Sequence, residues 1–260
     1  MAFVQLAEGE LHYQLDGPVD APVLVLSNSL GTRLEMWDAQ MATLIPHFRV
    51  LRYDSRGHGR SATPAVEASI ERLGRDALAV LDAVEADKAH FCGVSLGGMV
   101  GQWVGVNAPQ RIDRLVLANT AAWLGPAQNW QARIDDVLDR GMSSIANTVI
   151  EHWFTPEFRA TRPEVAARMH DMILHTDARG YTSCCAAIRD MDQRGSVAHI
   201  AARTLVIGGE FDPATPLEKS RELTRAIPSA ELIVLPAAHL SNIEQATPFN
   251  HAVLKFLERH

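Results

Sequence analysis

The stretch FCGVSLGGMVG, residues 91–101, places a single serine between two glycines where a buried strand pattern gives way to a helical one. A Gly-x-Ser-x-Gly in this context is typical of a sharp strand-to-helix turn that strains the backbone of its serine and exposes the hydroxyl. A Cβ two residues to either side would clash in so tight a turn, which explains glycine at positions 93 and 97. The motif by itself leaves open a glycine-rich junction with an incidental serine. Ser95 is a predicted nucleophile if the rest of the chain supplies its partners.

Apolar, β-branched runs alternate with amphipathic stretches along most of the chain. Residues 70–84 and 217–226 have helical spacing. The apolar runs are continuous, as in strands covered on both faces of a parallel sheet. They occupy residues 22–27, 48–53, 89–94, 114–119, 203–209 and 230–236. Strand and helix in repeated succession predict an α/β fold with a mostly parallel central sheet flanked by helices.

Two segments depart from this alternation. The N-terminal FVQLAEGELHYQLDG, residues 3–17, predicts an antiparallel hairpin that turns at Glu8-Gly9 at the sheet edge. Residues 122–197 contain no convincing strand but four helical patterns, at residues 129–141, 142–154, 163–176 and 180–191. We expect them to form a helical cap inserted after the sixth strand. The predicted domains are therefore a core of residues 1–121 and 198–260 and a cap of residues 122–197.

A serine nucleophile needs a base and an acid that orients the base. The loop GGEFDPATP follows one predicted strand and contains Asp212, and AAHLSNIEQ follows the next and contains His239. Both loops lie at the carboxyl edge of the sheet, where open α/β folds form their crevices. Glu210 is the competing acid. Taken singly, Asp212 fits a helix N-cap and His239 a surface loop, but together with Ser95 in this order they predict a catalytic triad.

The tetrahedral intermediate of acyl transfer requires two donors aimed at its oxyanion. The first predicted donor is the N–H of Leu96, at the start of the helix that follows the serine. The second is the N–H of Leu30, in the loop Asn28-Ser29-Leu30-Gly31-Thr32 after the first parallel strand. Gly31 would let this loop approach a substrate closely, or it is simply part of a turn.

Composition excludes several classes of partner. The chain has 260 residues, 47% of them hydrophobic, and a net charge of −7 without any basic stripe, so nucleic acid is not an expected partner. No apolar run approaches the roughly 20 residues of a membrane span, and the N-terminus lacks a signal-peptide pattern. We expect a cytoplasmic protein with three reduced cysteines and neither a metal nor a cofactor. Nothing in the sequence indicates its oligomeric state.

The motifs together resemble a known superfamily. The serine turn, DSRGHGRS at residues 54–61, GGEFDPATP and AAHLSNIEQ are similar to the α/β-hydrolases with a helical cap, over nearly the whole chain. Asn28-Ser29 replaces the common His-Gly of the oxyanion loop. Within the superfamily, LSNSLGTRLEMWDAQ, VLRYDSRGHGRS and the serine turn resemble the 3-oxoadipate enol-lactonases of the β-ketoadipate pathway for aromatic catabolism.

This resemblance implies a small anionic lactone as substrate, opened by Ser95 with His239 as base and Asp212 as its orienting acid. The substrate carboxylate requires a cation, and arginine pairs with carboxylates in a bidentate way. Arg133 at the start of the cap is the first candidate, and Arg33 beside the oxyanion loop is the second. The predicted apolar wall over the ring consists of Trp123, Trp130 and Trp153, although a cap also has to bury aromatic side chains against the core. His58 of DSRGHGRS is interpreted as a turn residue rather than an acid or base.

Other functions use the same residues. A carboxylesterase, a carbon-carbon bond hydrolase or a cofactor-free perhydrolase would keep the triad and change the substrate. A ligand-binding receptor on the hydrolase fold would have less need of Ser95, Asp212 and His239 together.

Overall fold

The computed structural model describes residues 2–63 and 65–258. Residues 1, 64, 259 and 260 of the predicted core lie outside the described residues. One sheet runs through the described chain in the order β1-β2-β4-β3-β5-β6-β7-β8. Its strands are β1 (Ala2–Leu6), β2 (Gly9–Asp16), β3 (Val23–Ser27), β4 (Arg49–Tyr53), β5 (Ala89–Val94), β6 (Ile112–Ala118), β7 (Arg203–Gly209) and β8 (Ala230–Leu235). The pairs β1-β2 and β2-β4 are antiparallel and the remaining pairs are parallel, as the sequence predicts.

The N-terminal hairpin turns one residue earlier than predicted. Leu6 pairs with Gly9, so the two turn residues are Ala7 and Glu8, and the predicted Glu8-Gly9 turn is wrong by one position. Gly9 is the first residue of β2 and has φ of +112°. A Cβ there would clash with Ala62 of the loop after β4. The glycine thus serves the approach of that loop to the hairpin rather than the turn itself.

Eleven α-helices lie among the described residues. They are α1 (Asp38–Leu44), α2 (Ile70–Ala83), α3 (Leu96–Asn107), α4 (Ala127–Arg140), α5 (Ala146–Trp153), α6 (Pro156–Thr161), α7 (Pro163–Leu174), α8 (Ala178–Asp190), α9 (Leu217–Ala226), α10 (Ser241–Glu244) and α11 (Ala246–Leu257). Helix α3 packs on β5 and β6, and α9 packs on β7 and β8. Strands β3 and β5 are buried along their whole length, which explains their unbroken apolar sequence.

Helices α4–α8 fill the interval between β6 and β7, and the described chain has no strand there. Four of them coincide with predicted helical patterns, whereas the short α6 was not predicted. Helix α4 packs against α8, and α5 packs against α7. These helices also contact the core closely. Gly180 of α8 lies against Gly57 of the loop after β4, and neither residue has room for a Cβ. The division into domains at residues 122 and 197 stays a prediction.

The parallel strands bring four loops to one edge of the sheet. Ser27 pairs with Gly93, Val94 with Ala118, and the carboxyl ends of β7 and β8 follow in the same direction. The loops after β3, β5, β7 and β8 therefore meet below the cap helices. They carry the predicted triad residues and the two predicted oxyanion donors.

Candidate active site

Ser95 lies in the strained turn between β5 and α3. Its backbone has φ of +57° and ψ of −116°, a conformation that L-residues rarely adopt. A Cβ on Gly93 would collide with the backbone of Gly97, and a Cβ on Gly97 would collide with the carbonyl of Ser27. These contacts confirm the steric reason for glycine at both positions.

The strained turn is held by hydrogen bonds to the last residue of β6 and to the loop that follows it. The Ser95 N–H donates to the carbonyl of Ala118 at 2.9 Å. The hydroxyl of Thr120 donates to the Ser95 carbonyl at 2.7 Å. Both the N–H and the carbonyl of Ser95 are thus hydrogen-bonded, which fixes the backbone that presents its side chain.

Asp212 and His239 are hydrogen-bonded to each other. Asp212 Oδ2 and His239 Nδ1 are 2.9 Å apart, and the two residues are 5% and 4% exposed. The competing acid, Glu210, is exposed to solvent. An aspartate on Nδ1 holds the imidazole with its proton on that nitrogen and leaves Nε2 free to act as a base. His239 and Ser95 line the same cavity.

Four further donors surround the Asp212 carboxylate. The backbone N–H groups of Ala214 and Thr215 donate to Oδ1 at 2.8 and 2.9 Å. The Thr215 hydroxyl and the Asn119 amide donate to Oδ2 at 2.6 and 3.0 Å. Burial opposes ionisation of this carboxyl, but His239 and these donors outweigh burial and lower the pKa of Asp212 below its ordinary value. The carboxylate is therefore ionised at neutral pH.

The loop after β3 forms a turn from Ser29 to Thr32. Leu30 lies in this turn and lines the cavity together with Ser29. Within the described chain the N–H groups of Leu30 and Leu96 donate to no protein acceptor. Leu96 is the first residue of α3, whose opening N–H groups have no partner inside the helix. Both predicted oxyanion donors are thus available to a ligand.

The cavity beneath the cap encloses about 160 Å³. Its walls combine residues of the predicted triad and of the loop after β3 with side chains from α4, α5 and α8. The cavity lining includes Arg133, Trp130 and Trp153, three of the predicted substrate-binding residues. The Arg133 guanidinium lies 5.2 Å from the centre of the Trp130 ring and approaches the hydroxyl of Tyr181. It forms no ion pair with a carboxylate of the described residues.

Two predicted binding residues do not line this cavity. Arg33 is half-exposed and pairs with Glu35 at 3.1 Å. The ring of Trp123 is covered by the guanidinium of Arg194, 4.5 Å from its centre. Both side chains are engaged elsewhere, so of the five predicted substrate-binding residues the cavity is lined by Arg133, Trp130 and Trp153.

Several polar residues of the site escaped sequence reasoning. Asn119 orients Asp212, and it occupies φ of +46° at the end of β6. His152 and Tyr181 line the cavity from the cap. Burial and the neighbouring Arg133 and His239 lower the pKa of His152. The position of Asn119 directly after a central strand is a signal that could have identified it. A cap helix offers no such signal, because an inward-facing histidine and a solvated one look alike in the sequence.

The cap and the loop of His239 are joined by backbone hydrogen bonds. The N–H groups of His239 and Leu240 donate to the carbonyls of His152 and Trp153 at 3.3 and 3.0 Å. The Glu244 carboxylate accepts from Ala238 N–H at 2.9 Å and also from Thr155. We call this set of contacts the cap tie. It spans the end of α5 and the loop after β8.

Residues 2–63 and 65–258 contain no cluster of histidine, cysteine or acidic side chains suited to holding a metal ion. Among the same residues, no helix has both the length and the apolar character needed to span a bilayer. The three cysteines, Cys92, Cys184 and Cys185, are buried and free.

Comparison with known proteins identifies the fold family. A model of the alpha/beta hydrolase fold matches residues 22–246. The 3-oxoadipate enol-lactonase 2 of Acinetobacter baylyi is 42% identical over 249 residues, which cover 96% of this chain and 93% of that enzyme. The crystal structure of the enol-lactonase from Burkholderia xenovorans LB400 has a TM-score of 0.97 and 42% identity, covering 99% of this chain and 100% of its own. A hydrolase from Pseudomonas aeruginosa PA01 has a TM-score of 0.97 and 47% identity, covering 99% and 98% of the two chains. With the family model, the sheet topology and these relatives in agreement, the chain belongs to the alpha/beta hydrolase fold family.

Proposed function

We propose that this hydrolase opens the ring of 3-oxoadipate enol-lactone to give 3-oxoadipate. The observation that carries the proposal is a cation without an acidic partner, Arg133, in the same cavity as Ser95 and His239. A neutral ester would need no such charge, whereas the enol-lactone bears a carboxylate. The names of two similar proteins, both enol-lactonases, support the same substrate class.

Acylation begins at Ser95. The Ser95 oxygen attacks the lactone carbonyl carbon while Nε2 of His239 takes the hydroxyl proton. The carbonyl π electrons move to oxygen, and the N–H groups of Leu30 and Leu96 stabilise the resulting oxyanion. Asp212 stabilises the imidazolium through the Nδ1 proton.

Collapse of the tetrahedral intermediate breaks the bond between the carbonyl carbon and the ring oxygen. The leaving oxygen departs as an enolate and receives the proton from His239, and the enol tautomerises to a ketone. Because an enolate is a weaker base than an alkoxide, this step demands less acid assistance than ordinary ester cleavage. Water, deprotonated by His239, then attacks the acyl-enzyme carbonyl carbon. Collapse of this second tetrahedral intermediate breaks the bond to the Ser95 oxygen, which takes the proton back from His239 as the second carboxyl group is released.

Substrate orientation rests on Arg133 and the cap aromatics. The guanidinium pairs with the carboxylate arm in a bidentate way, and Trp130 beneath it limits its rotation. Trp153, 4% exposed, supplies an apolar wall for the ring. The chemistry of these residues fits an anionic ring substrate of small size.

We place the activity in the cytoplasmic catabolism of aromatic compounds, as the final hydrolysis of a lactone intermediate. Three free, buried thiols fit a reducing compartment. Oligomeric state plays no part in this proposal, since the residues invoked belong to one chain.

The test compares two substrates across four proteins. Hydrolysis of the enol-lactone, followed by loss of its ultraviolet absorbance, is measured beside p-nitrophenyl acetate for wild type, Ser95→Ala, Arg133→Gln and Arg33→Gln. Ser95→Ala should lose turnover of both substrates by up to about a millionfold. Arg133→Gln should lower kcat/KM about 10- to 100-fold for the lactone, the worth of a charge-assisted hydrogen bond, and change the neutral ester little.

Arg33→Gln is the matched control, because this arginine pairs with Glu35 outside the cavity. It should behave as wild type on both substrates. An equal loss on both substrates in Arg133→Gln would remove the carboxylate role from that residue. An inert lactone beside serine-dependent ester hydrolysis would retain the hydrolase and overturn the proposed substrate.

A further inference from the structure

The turn that presents Leu30 has a defined backbone type. Thr32 N–H donates to the Ser29 carbonyl at 3.2 Å, and Gly31, the third turn residue, has φ of +78°. A hydrogen-bonded turn with positive φ at this position has the features of type II. Type II differs from type I mainly in the direction of the central peptide, here the one between Leu30 and Gly31.

The ring of His58 binds the central peptide of this turn. Its Nε2 lies 3.0 Å from Gly31 N–H, and its Nδ1 lies 3.2 Å from the Arg56 carbonyl. Gly31 N–H can only donate and the Arg56 carbonyl can only accept. The ring must therefore be neutral, with its proton on Nδ1 and its lone pair on Nε2.

The surroundings of His58 favour this neutral state. The residue is 2% exposed, and burial lowers its pKa. Asp54 from its own loop and Asp177 from the start of α8 act in the opposite direction but do not outweigh burial. Arg56 is engaged by the buried Asp76 of α2.

Both peptide planes beside Leu30 are fixed by these contacts. The Ser29 carbonyl accepts from the backbone and hydroxyl of Thr32, at 3.2 and 2.7 Å, so the Leu30 N–H on the same peptide points the opposite way. The next peptide is fixed through Gly31 N–H and His58. On the cap side, the hydroxyl of Thr176 donates to the Gly31 carbonyl at 3.2 Å. Removal of the His58 acceptor would leave a buried N–H unpaired and release the central peptide to rotate.

We propose that His58 is a positioning residue for the oxyanion hole, which acts through Gly31 to aim the N–H of Leu30 into the cavity. This inference rests on the proposed serine hydrolase mechanism, though not on the identity of its substrate. It gives the histidine of DSRGHGRS a role in transition-state stabilisation without contact with the substrate.

Two variants of matched size separate positioning from packing. His58→Gln retains an acceptor oxygen at the reach of Nε2, whereas His58→Leu fills the space without one. Turnover of p-nitrophenyl acetate and binding of a phenylboronic acid, which forms a tetrahedral adduct on serine, are measured with melting temperatures. His58→Leu should lower kcat about 10- to 100-fold, less than the full loss of an oxyanion donor, with KM within about threefold. His58→Gln should recover most of the kcat, and boronate affinity should follow kcat across the series.

A kcat for His58→Leu equal to that of wild type would overturn the proposal. The proposal would also be overturned if His58→Leu and His58→Gln lost the same fraction of kcat although their melting temperatures differ. If His58→Leu does not fold, the wild-type protein gives a test of its own through imidazole nitrogen NMR. The proposal requires the Nδ1–H tautomer with an unprotonated Nε2 that shifts on boronate binding, and an Nε2–H tautomer would refute it. The activity of Ser95→Ala separates failure of the proposed function from failure of this inference. If hydrolysis does not depend on Ser95, the proposed function is wrong. If hydrolysis depends on Ser95 but not on His58, only this inference is wrong.

Discussion

The Asp212→Asn variant offers the sharpest test of the proposed triad. One carboxylate oxygen becomes an amide NH₂ group, and the structure determines which one. Oδ1 receives two backbone N–H groups, from Ala214 and Thr215, that cannot turn away. An NH₂ group there would face two donors inside a buried site. At Oδ2 the Thr215 hydroxyl can rotate and accept, so only the Asn119 amide opposes an NH₂ group there. The amide oxygen therefore takes the Oδ1 position, which puts NH₂ at Oδ2 opposite His239.

This placement reverses the hydrogen bond to the base. Nδ1 of His239 becomes an acceptor, the ring proton moves to Nε2, and Nε2 can no longer take the proton of Ser95. Trapping the base in the wrong tautomer costs about 10⁴-fold in kcat, equivalent to about 5.4 kcal/mol of transition-state stabilisation. Because the change is nearly isosteric, KM should move by less than about threefold.

The assay is steady-state hydrolysis of p-nitrophenyl acetate and of the enol-lactone at pH 7.5, with Glu210→Gln as control. Glu210 is the exposed acid of the same loop, and its variant should retain wild-type turnover. A kcat for Asp212→Asn above about a tenth of wild type would refute the assignment of His239 as the base oriented by Asp212. A large loss in Glu210→Gln would transfer the orienting role to that residue.

Three further outcomes follow from the geometry. Gly97→Ala should lose activity and melt well below wild type, since its Cβ would collide with a β3 carbonyl, while Gly195→Ala, with open space around its Cα, should leave the melting temperature nearly unchanged in thermal denaturation. Asn119→Ala removes one donor from Asp212 and should lower kcat about 10- to 100-fold, the worth of a hydrogen bond to a charged group, in steady-state kinetics. The pKa of His58 is lowered from 6.5 in the folded state, so the unfolded chain binds its proton first and this residue's contribution to stability falls as pH drops below about 6.5. Between pH 7.5 and 5, melting temperatures should therefore fall more for wild type than for His58→Gln, and parallel curves would contradict the burial of a neutral ring.

The fold was predictable from the sequence because its signals are local. Continuous apolar runs mark strands that are buried on both faces, and β5 and β7 begin and end where those runs do. Gly93 and Gly97 mark the serine turn because their Cβ positions are occupied by backbone. The short α6 has a local start signal, with Thr155 as N-cap and Pro156 as its first residue, but six residues are too few to show a helical period. The one-residue error at the hairpin turn depends instead on a neighbour distant in sequence. Gly9, for example, has the sequence context of a turn glycine, but a glycine is needed there because a Cβ would clash with Ala62.

The candidate site was predictable where chain order and strand ends decide position. Asp212 and His239 follow adjacent strands, so topology brings them together. The cap gave no comparable signal: Trp123 and Trp130 have the same chemistry, yet only the packing of α4 on α8 turns one of them toward the cavity. His58 illustrates a further limit, because its role depends on which atom of a distant loop faces its Nε2.

The cap tie has a consequence for recombining this enzyme with its relatives. Residues 152–155 and 238–244 are joined in both directions: the N–H groups of His239 and Leu240 donate to the first segment, and the N–H and hydroxyl of Thr155 donate to Glu244 in the second. A foreign cap grafted at the β6 and β7 junctions would bring its own α5 terminus to the loop after β8. It would therefore change the backbone contacts that position His239, even with every residue of the proposed triad retained. The exchangeable module of this enzyme is therefore discontinuous: the cap together with the segment after β8.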